Sequence, residues 1–470
     1  MNDAPGSLLA PIARRWDDEI VPQLTEYIRV PAKSPHFDAD WKKSGHIDAV
    51  VALAEKWARR QPIRGLTLEV VRLDGRTPLL FFDAPANGAA SQRTVALYGH
   101  LDKQPEMSGW RAGLGPWTPV YENGRLYGRG GADDGYAIFA ALAAIGVLDA
   151  EGCPRPRCVG LIETCEESGS YDLPAYLEAL APRMGEVALV IALDSGAGNY
   201  DQLWATTSLR GIVNGTLSVE ILEEGVHSGD AGGVVPSSFR IARALLDRID
   251  SVASGRIEAA AFNCRIPAER RDQARHAAGI LGDTVSRRFP FVAGAKAVAG
   301  GEEGILNRTW RPALEVIGAE GLPPLKGAGN VLRPFTKLEL SLRLPPLVEA
   351  NGAAAALKRS LEADPPYGAR VSFEYDHVAT GWNAPSVAPW LAEAFDSASQ
   401  ALFGQPAAYL GEGGTIPFMG MLGAKFPRAQ ILVTGVLGPK SNAHGPNEFI
   451  DVPYAKKLTA AVATVVAACP

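Results

Sequence analysis

Four short apolar runs constrain this chain more than any other feature. They are Thr94–Tyr98 (TVALY), Val159–Ile162 (VGLI), Val187–Leu193 (VALVIAL) and Ile431–Val433 (ILV). None alternates apolar with polar residues. Near-continuous runs of this length are the mark of strands covered on both faces, as in a parallel sheet flanked by helices. Asp134–Leu148, rich in Ala, Ile, Leu and Phe, and Ile47–Trp57 read as helices between them. The class is therefore α/β, with a mostly parallel sheet.

A second texture begins near Leu209. Thr216–Ile221 (TLSVEI), Thr336–Leu344 (TKLELSLRL) and Arg370–Tyr375 (RVSFEY) alternate with period two, which predicts antiparallel strands with one solvated face. Amphipathic helices are expected at Ser238–Ile249 and Ala353–Glu362, and loops at Gly294–Gly304 and Gly318–Gly329. The expected organisation is a discontinuous α/β domain, 1–208 with 380–470, holding an inserted α+β domain, 209–379.

Composition removes several classes. A chain that is 47% hydrophobic and 21% charged is globular rather than disordered. The net charge of -6 gives no reason to expect a nucleic-acid partner. Five cysteines suit a reducing compartment better than a disulfide framework. Met1–Ile20 lacks a basic segment followed by an apolar one, and no run suggests a membrane span. The expected address is the cytoplasm, with no membrane partner.

Potential ligands cluster in the loops after these strands. His100 follows the first run, Glu166 and Glu167 the second, Asp194 the third, and His444 the fourth by way of a Gly-rich loop. Asp133 precedes the apolar helix in GRGGADDGY. In open α/β sheets, sites form at the carboxyl ends of strands. His100, Asp133, Glu167, Asp194 and His444 offer nitrogen and carboxylate donors, suited to Zn²⁺ and less selectively to Mn²⁺ or Co²⁺. Two ions per chain would need a shared carboxylate to fill both shells. Asp102 can accept the second ring N–H of His100. That leaves Glu166 as a base toward the attacking water. GRGGAD lacks the GKS/T of a phosphate loop, and the cysteines have no CxxC spacing.

The blocks GHLDKQP (99–105), GRGGADDG (128–135), ETCEESGS (163–170), LDSG (193–196), SLRG (208–211), VHSGDAGG (226–233), GEGG (411–414) and SNAHGPNE (441–448) are spread over most of the chain. Together they resemble the dinuclear-zinc metallopeptidases of the carnosinase and cytosolic dipeptidase type. The wider family includes glutamate carboxypeptidase, aminoacylase and succinyl-diaminopimelate desuccinylase. The resemblance implies that Asp133 bridges two ions, that His100 and Asp194 complete one shell, and that Glu167 and His444 complete the other. It implies Glu166 as general base and acid, and a cis peptide between Asp133 and Asp134. The inserted domain would be a lid and the surface of a homodimer. His227 would reach the partner's active site and steady the developing oxyanion.

The chain departs from the family pattern in three places. Gly135-Tyr136 stands where Lys-Gly is frequent. Thr164 and Cys165 precede the Glu pair in place of Gly and Glu or Met. Asn330 stands where a lid threonine is frequent. The implied activity is hydrolysis of dipeptides or short peptides with a free C-terminal carboxylate. Arg343 is expected to bind that carboxylate bidentately, with Gly413, Gly414 and Thr415 adding backbone N–H groups and a hydroxyl. An N-acyl-amino-acid amidohydrolase is the alternative, and a non-catalytic metal-binding protein is a third.

Overall fold

The computed structural model describes residues 5–88 and 93–470. All four apolar runs are strands in it, and they lie side by side. Arg157–Glu163, Thr94–His100, Val187–Ala192 and Gln430–Val433 are neighbours in that order, each parallel to the next. The register sets His100 opposite Glu163, Tyr98 opposite Ala192, and Val433 also opposite Ala192. The carboxyl ends are thus level, and the segments that follow them leave the sheet at one edge, where an α/β site forms.

The sheet as a whole is mixed, which corrects the expectation of a mostly parallel one. Thr67–Val71 and Leu79–Ala84 extend one side antiparallel, and Trp204–Leu209 is antiparallel to Gln430–Val433 on the other. The first two are joined by a short turn. Such a link connects only antiparallel neighbours, because a parallel pair needs a crossover of roughly a dozen residues or more.

Helix Ala137–Ala150 is buried from Ala137 through Leu148, which is why its sequence has no polar face. The run Gly131–Ala150 is long and apolar enough to cross a membrane by composition, yet its apolar part is buried inside the protein. The helix starts at Ala137 rather than Asp134, because Asp133 and Asp134 have non-helical backbones; as expected, the peptide between them is cis. The N-terminal and C-terminal helices pack together, and Trp16 Nε1 donates to Thr459 Oγ1 at 3.0 Å. Asp451 caps the C-terminal helix Val452–Ala468 by accepting the Tyr454 amide.

The chain forms two compact units. The first comprises residues 1–207, 384–410 and 421–470, and the second 208–383 and 411–420. The segment 411–420 belongs with the second unit, an excursion that no composition shift announces. The second unit holds a four-stranded antiparallel sheet in the order Ala313–Glu320, Phe335–Leu344, Gly211–Glu220, Arg370–Ala379. Helices Ser238–Asp247 and Ala350–Glu362 bury Ile241, Leu245, Leu357 and Leu361 in the core formed with this sheet.

Two loop expectations need correction. Gly301–Thr309 is a helix that begins inside the first, and the strand Ala313–Glu320 runs into the second. That edge strand has no buried residue, so its sequence lacks the alternation that marks a half-buried strand.

Candidate metal centre

The site is assembled from five places in the chain. His100 ends a central strand, and Asp194 follows the neighbouring strand by two residues. Asp133 sits in the turn that enters the buried helix. Glu166 and Glu167 occupy a single helical turn after Arg157–Glu163. His444 lies on the loop between Gln430–Val433 and Phe449–Asp451.

Two ligand sets result, and they share Asp133. The donor atoms of His100, Asp133 and Asp194 lie within 4.8 Å of one another, as do those of Asp133, Glu167 and His444. Asp133 divides its two oxygens between the sets. Oδ1 is 3.4 Å from His100 Nε2, and Oδ2 is 2.9 Å from His444 Nε2. Asp194 Oδ2 is 3.8 Å from His100 Nε2, and Glu167 Oε2 is 3.4 Å from His444 Nε2. Ligand atoms about 2.1 Å from a tetrahedral ion stand roughly 3.4 Å apart, so the observed spacings bracket that value. His100 Nε2 is fully buried without a hydrogen-bond partner, which is costly for a neutral imidazole unless something else takes its lone pair. The donor set and the spacing fit two divalent cations.

The charge balance points the same way. Against the upward push of burial, the neighbouring His100 and His444 rings hold Asp133 well below the usual carboxylate range. Burial and the charge on Asp133 push Glu167 up to about 8, and burial pushes Asp194 up to about 7. Burial and the charge on Asp194 raise Glu166 well above the ordinary value. Asp134 is buried with neither carboxylate oxygen partnered, and burial together with the Asp194 charge raises it as well. His444 is raised too. Burial pushes it down, but contact with Asp133 outweighs this and lifts it to about 10. So many carboxylates in a dry site repel one another and ionise together only with cations among them.

The surroundings hold these ligands in place. His100 Nδ1 is 3.1 Å from the backbone oxygen of Asp102 and 3.5 Å from its carboxylate. The expected ring N–H partner is therefore Asp102 itself, nearer through its carbonyl. The Asp102 carboxylate instead accepts the backbone amides of Glu166 and Glu167, at 3.1 and 3.0 Å. Gln104 Nε2 donates to Glu167 Oε2 at 2.7 Å. Glu166 belongs to neither ligand set and lies within electrostatic reach of Asp194, His100 and Glu167.

The departures have structural reasons. A Cβ at Gly135 would lie 2.2 Å from the Tyr27 ring and 2.8 Å from the Gly130 carbonyl, so no side chain fits there. Tyr136 is buried and donates to the Leu193 carbonyl. Thr164 donates to the Pro78 carbonyl at 2.6 Å, and Cys165 is buried. Neither contributes a donor to the ligand sets.

The remaining candidates lie in the second unit. Arg343 Nη1 donates to Thr415 Oγ1 at 3.1 Å, and the Thr415 hydroxyl donates to the Arg210 carbonyl at 2.6 Å. Arg210 Nε in turn donates to the Gly413 carbonyl at 3.1 Å. Burial and the nearby charges of Arg343 and Arg308 lower Arg210 to about 10, which leaves it a cation at neutral pH. A Cβ at Gly414 would meet nothing. His227 is exposed and pairs in antiparallel register with Val331, and the Asn330 carbonyl accepts the Ser228 amide at 2.9 Å. The structure thus joins Arg343 to Thr415, and the segment that carries His227 to Asn330 and Val331. The supporting residues Gln104, Arg129, Arg210 and Glu448 escaped the sequence reading, although each lies inside a block quoted there.

Paired ligand sets sharing one carboxylate at the strand ends of an α/β sheet define a two-metal hydrolase centre. Residues 96–468 match the model of peptidase family M20/M25/M40, and the chain belongs to that family. It is similar to the cysteinylglycine-S-conjugate dipeptidase of Corynebacterium striatum, 27% identical over 411 residues that cover 85% of this chain and 86% of the relative. The human Beta-Ala-His dipeptidase is 25% identical over 375 residues, 76% of this chain and 71% of that protein. The solved structure of the dipeptidase Dug1p from Saccharomyces cerevisiae superposes with a TM-score of 0.78 at 19% identity, covering 100% of this chain and 99% of its own.

Proposed function

We propose that the chain is a two-metal dipeptidase that hydrolyses dipeptides or short peptides bearing a free C-terminal carboxylate. One observation carries the reading: Asp133 turns one oxygen to each of two histidines, beside a Glu166 that belongs to neither ligand set. The relatives named above as dipeptidases support it. His100 and Asp194 would hold one ion, Glu167 and His444 the other, with Asp133 common to both. When bound, the ions polarise the scissile carbonyl and make the attacking water more acidic. Glu166 takes the proton from that water and passes it to the leaving amine. Asp102 fixes the turn that carries Glu166 by accepting its amide.

Arg343, braced by Thr415, is the cation for the substrate carboxylate. The second unit serves as lid and homodimer surface. Exposed His227 there acts on the partner's substrate, a role supported by the VHSGDAGG block. Zinc is the ion best matched to the donor set. A reducing cytoplasmic setting is supported by five cysteines that form no disulfide among the described residues.

The test is a hydrolysis screen on chelator-treated protein reconstituted with Zn²⁺, Mn²⁺ or Co²⁺. Its substrates are dipeptides, their C-terminal amides, and N-acetyl and N-succinyl amino acids. Metal-dependent cleavage of the free dipeptides is expected. Preference for the acyl amino acids would favour the amidohydrolase. Ion binding without cleavage of any amide would leave a non-catalytic protein.

A further inference from the structure

Of the five ligands, His444 has the weakest local support. His100 and Asp194 are tied to central strands, Asp133 enters a buried helix, and Glu167 is gripped by Asp102 and Gln104. His444 lies on a loop outside the strands, its side chain 55% exposed. Lys440, Asn442, His444 and Asn447 all have positive φ there, between 58° and 68°. Non-glycine residues avoid that region and keep it only where the surroundings impose it.

A buried ion pair does the imposing. Arg129 and Glu448 are 1% and 0% exposed, and Arg129 Nη1 donates to Glu448 Oε2. The other carboxylate oxygen accepts the Gly130 amide at 2.8 Å, and the Glu448 carbonyl accepts the Gly128 amide at 2.9 Å. Arg129 Nη2 donates to the Gly445 carbonyl, next to His444, at 3.0 Å. Its Nε donates to the Pro105 carbonyl at 3.2 Å, on the segment that follows His100 and Asp102. One guanidinium therefore fastens the His444 loop at Gly445 and Glu448 to the segment leading into Asp133.

We infer that Arg129 and Glu448 are positioning residues for the ion held by Asp133, Glu167 and His444, and that the ion held by His100, Asp133 and Asp194 does not depend on them. The inference rests on the two-metal reading and adds an asymmetry to it: one ion is held by sheet-anchored ligands, the other by a loop that a salt bridge must hold in shape. Groups that orient metal ligands typically change affinity about 10- to 100-fold.

The experiment compares wild type with R129M, E448Q and the double variant R129M/E448M. The single variants strand a buried charge and risk misfolding. The double variant removes both charges together, and such replacements are often tolerated. Zn²⁺ per chain is measured after dialysis against chelators of graded strength. A Co²⁺ titration follows the two sites by absorption, and thermal melts of metal-free protein report the fold. The expected result is a folded double variant with one ion at wild-type affinity and the other about 10- to 100-fold weaker. Two ions at wild-type affinity in that variant would overturn the inference, as would equal weakening of both ions with an unchanged metal-free melt. If wild type itself takes up fewer than two ions, the two-metal reading fails before this one is reached.

Discussion

His444 Nε2 lies 2.9 Å from Asp133 Oδ2, although the two residues come from different segments of the first unit, with the second unit's main segment between them in sequence. The other oxygen of the same carboxylate faces His100. One side chain therefore belongs to both ligand sets, and its removal should act on both. Asp133→Ala is expected to abolish tight binding of both ions, whereas His444→Ala removes one. Metal analysis after gel filtration checks this. Asp133→Ala protein that retains one tight ion would show that the carboxylate is not shared.

Glu166 contributes to neither ligand set. Glu166→Gln keeps its shape and the amide held by Asp102, but it cannot carry a proton. Two ions per chain should remain while turnover falls by roughly 10²- to 10⁴-fold, the usual contribution of a general acid–base group. Steady-state kinetics beside metal analysis decides it. An active Glu166→Gln enzyme would end the base assignment.

Arg343 and Thr415 should affect recognition more than chemistry. Arg343→Met removes a charge-assisted contact worth about 1.5–3 kcal/mol, so kcat/KM for a free dipeptide should drop roughly 10- to 150-fold. The corresponding C-terminal amide should lose far less. Thr415→Val, which removes only the brace, should give a smaller change of the same kind. Equal losses on dipeptide and amide would argue against carboxylate recognition.

Metal-free protein should be less stable in base than in mild acid. Glu167 rises from 4.5 to about 8 and Asp194 from 3.8 to about 7, chiefly through burial. His444 rises from 6.5 to about 10 through Asp133, against burial. Each folded-state value lies above the ordinary one, so the folded chain binds more protons between the two. The stability from each group is full below its ordinary value and is lost as pH rises through the folded one. Thermal midpoints after chelation should therefore fall from about pH 5 to pH 9. Added Zn²⁺ should raise the midpoint more at pH 8 than at pH 5, because ligands must shed protons to bind it. A flat metal-free profile would contradict this charge balance.

Gly135→Lys tests whether the departure after the Asp pair is steric. The first added carbon would meet both the Tyr27 ring and the Gly130 carbonyl. Destabilisation of about 1–3 kcal/mol or more is expected, as for overpacking elsewhere. Denaturant melts of the metal-free variant measure it. A variant as stable as wild type would mean that Tyr27 moves freely.

His100 and Asp194 were legible because each is the first polar residue after a run too apolar to be anything but a buried strand. TVALY leads to His100 and VALVIAL to Asp194, and the parallel register brings those ends level. The Asp133–Asp134 pair was visible as a motif, but which way its oxygens turn was not. Arg129 and Glu448 stood in plain view inside GRGG and SNAHGPNE. Their partnership was invisible, because a salt bridge across such a separation leaves no periodicity.

Local sequence by itself determined the central strands, the buried helix and the chemical identity of the ligands, because burial and donor type are properties of short segments. Tertiary structure alone decided three things. It made the sheet mixed, because the turn before Leu79–Ala84 reverses the chain. It placed Gly411–Gly420 with Arg343, because that loop closes on Arg210 and its neighbours. It set Asp133 between two histidines, because the pairing of Phe449–Asp451 with Arg125–Tyr127 returns the His444 loop to the turn that bears it. These are long-range geometric facts, and no window of local sequence contains both partners.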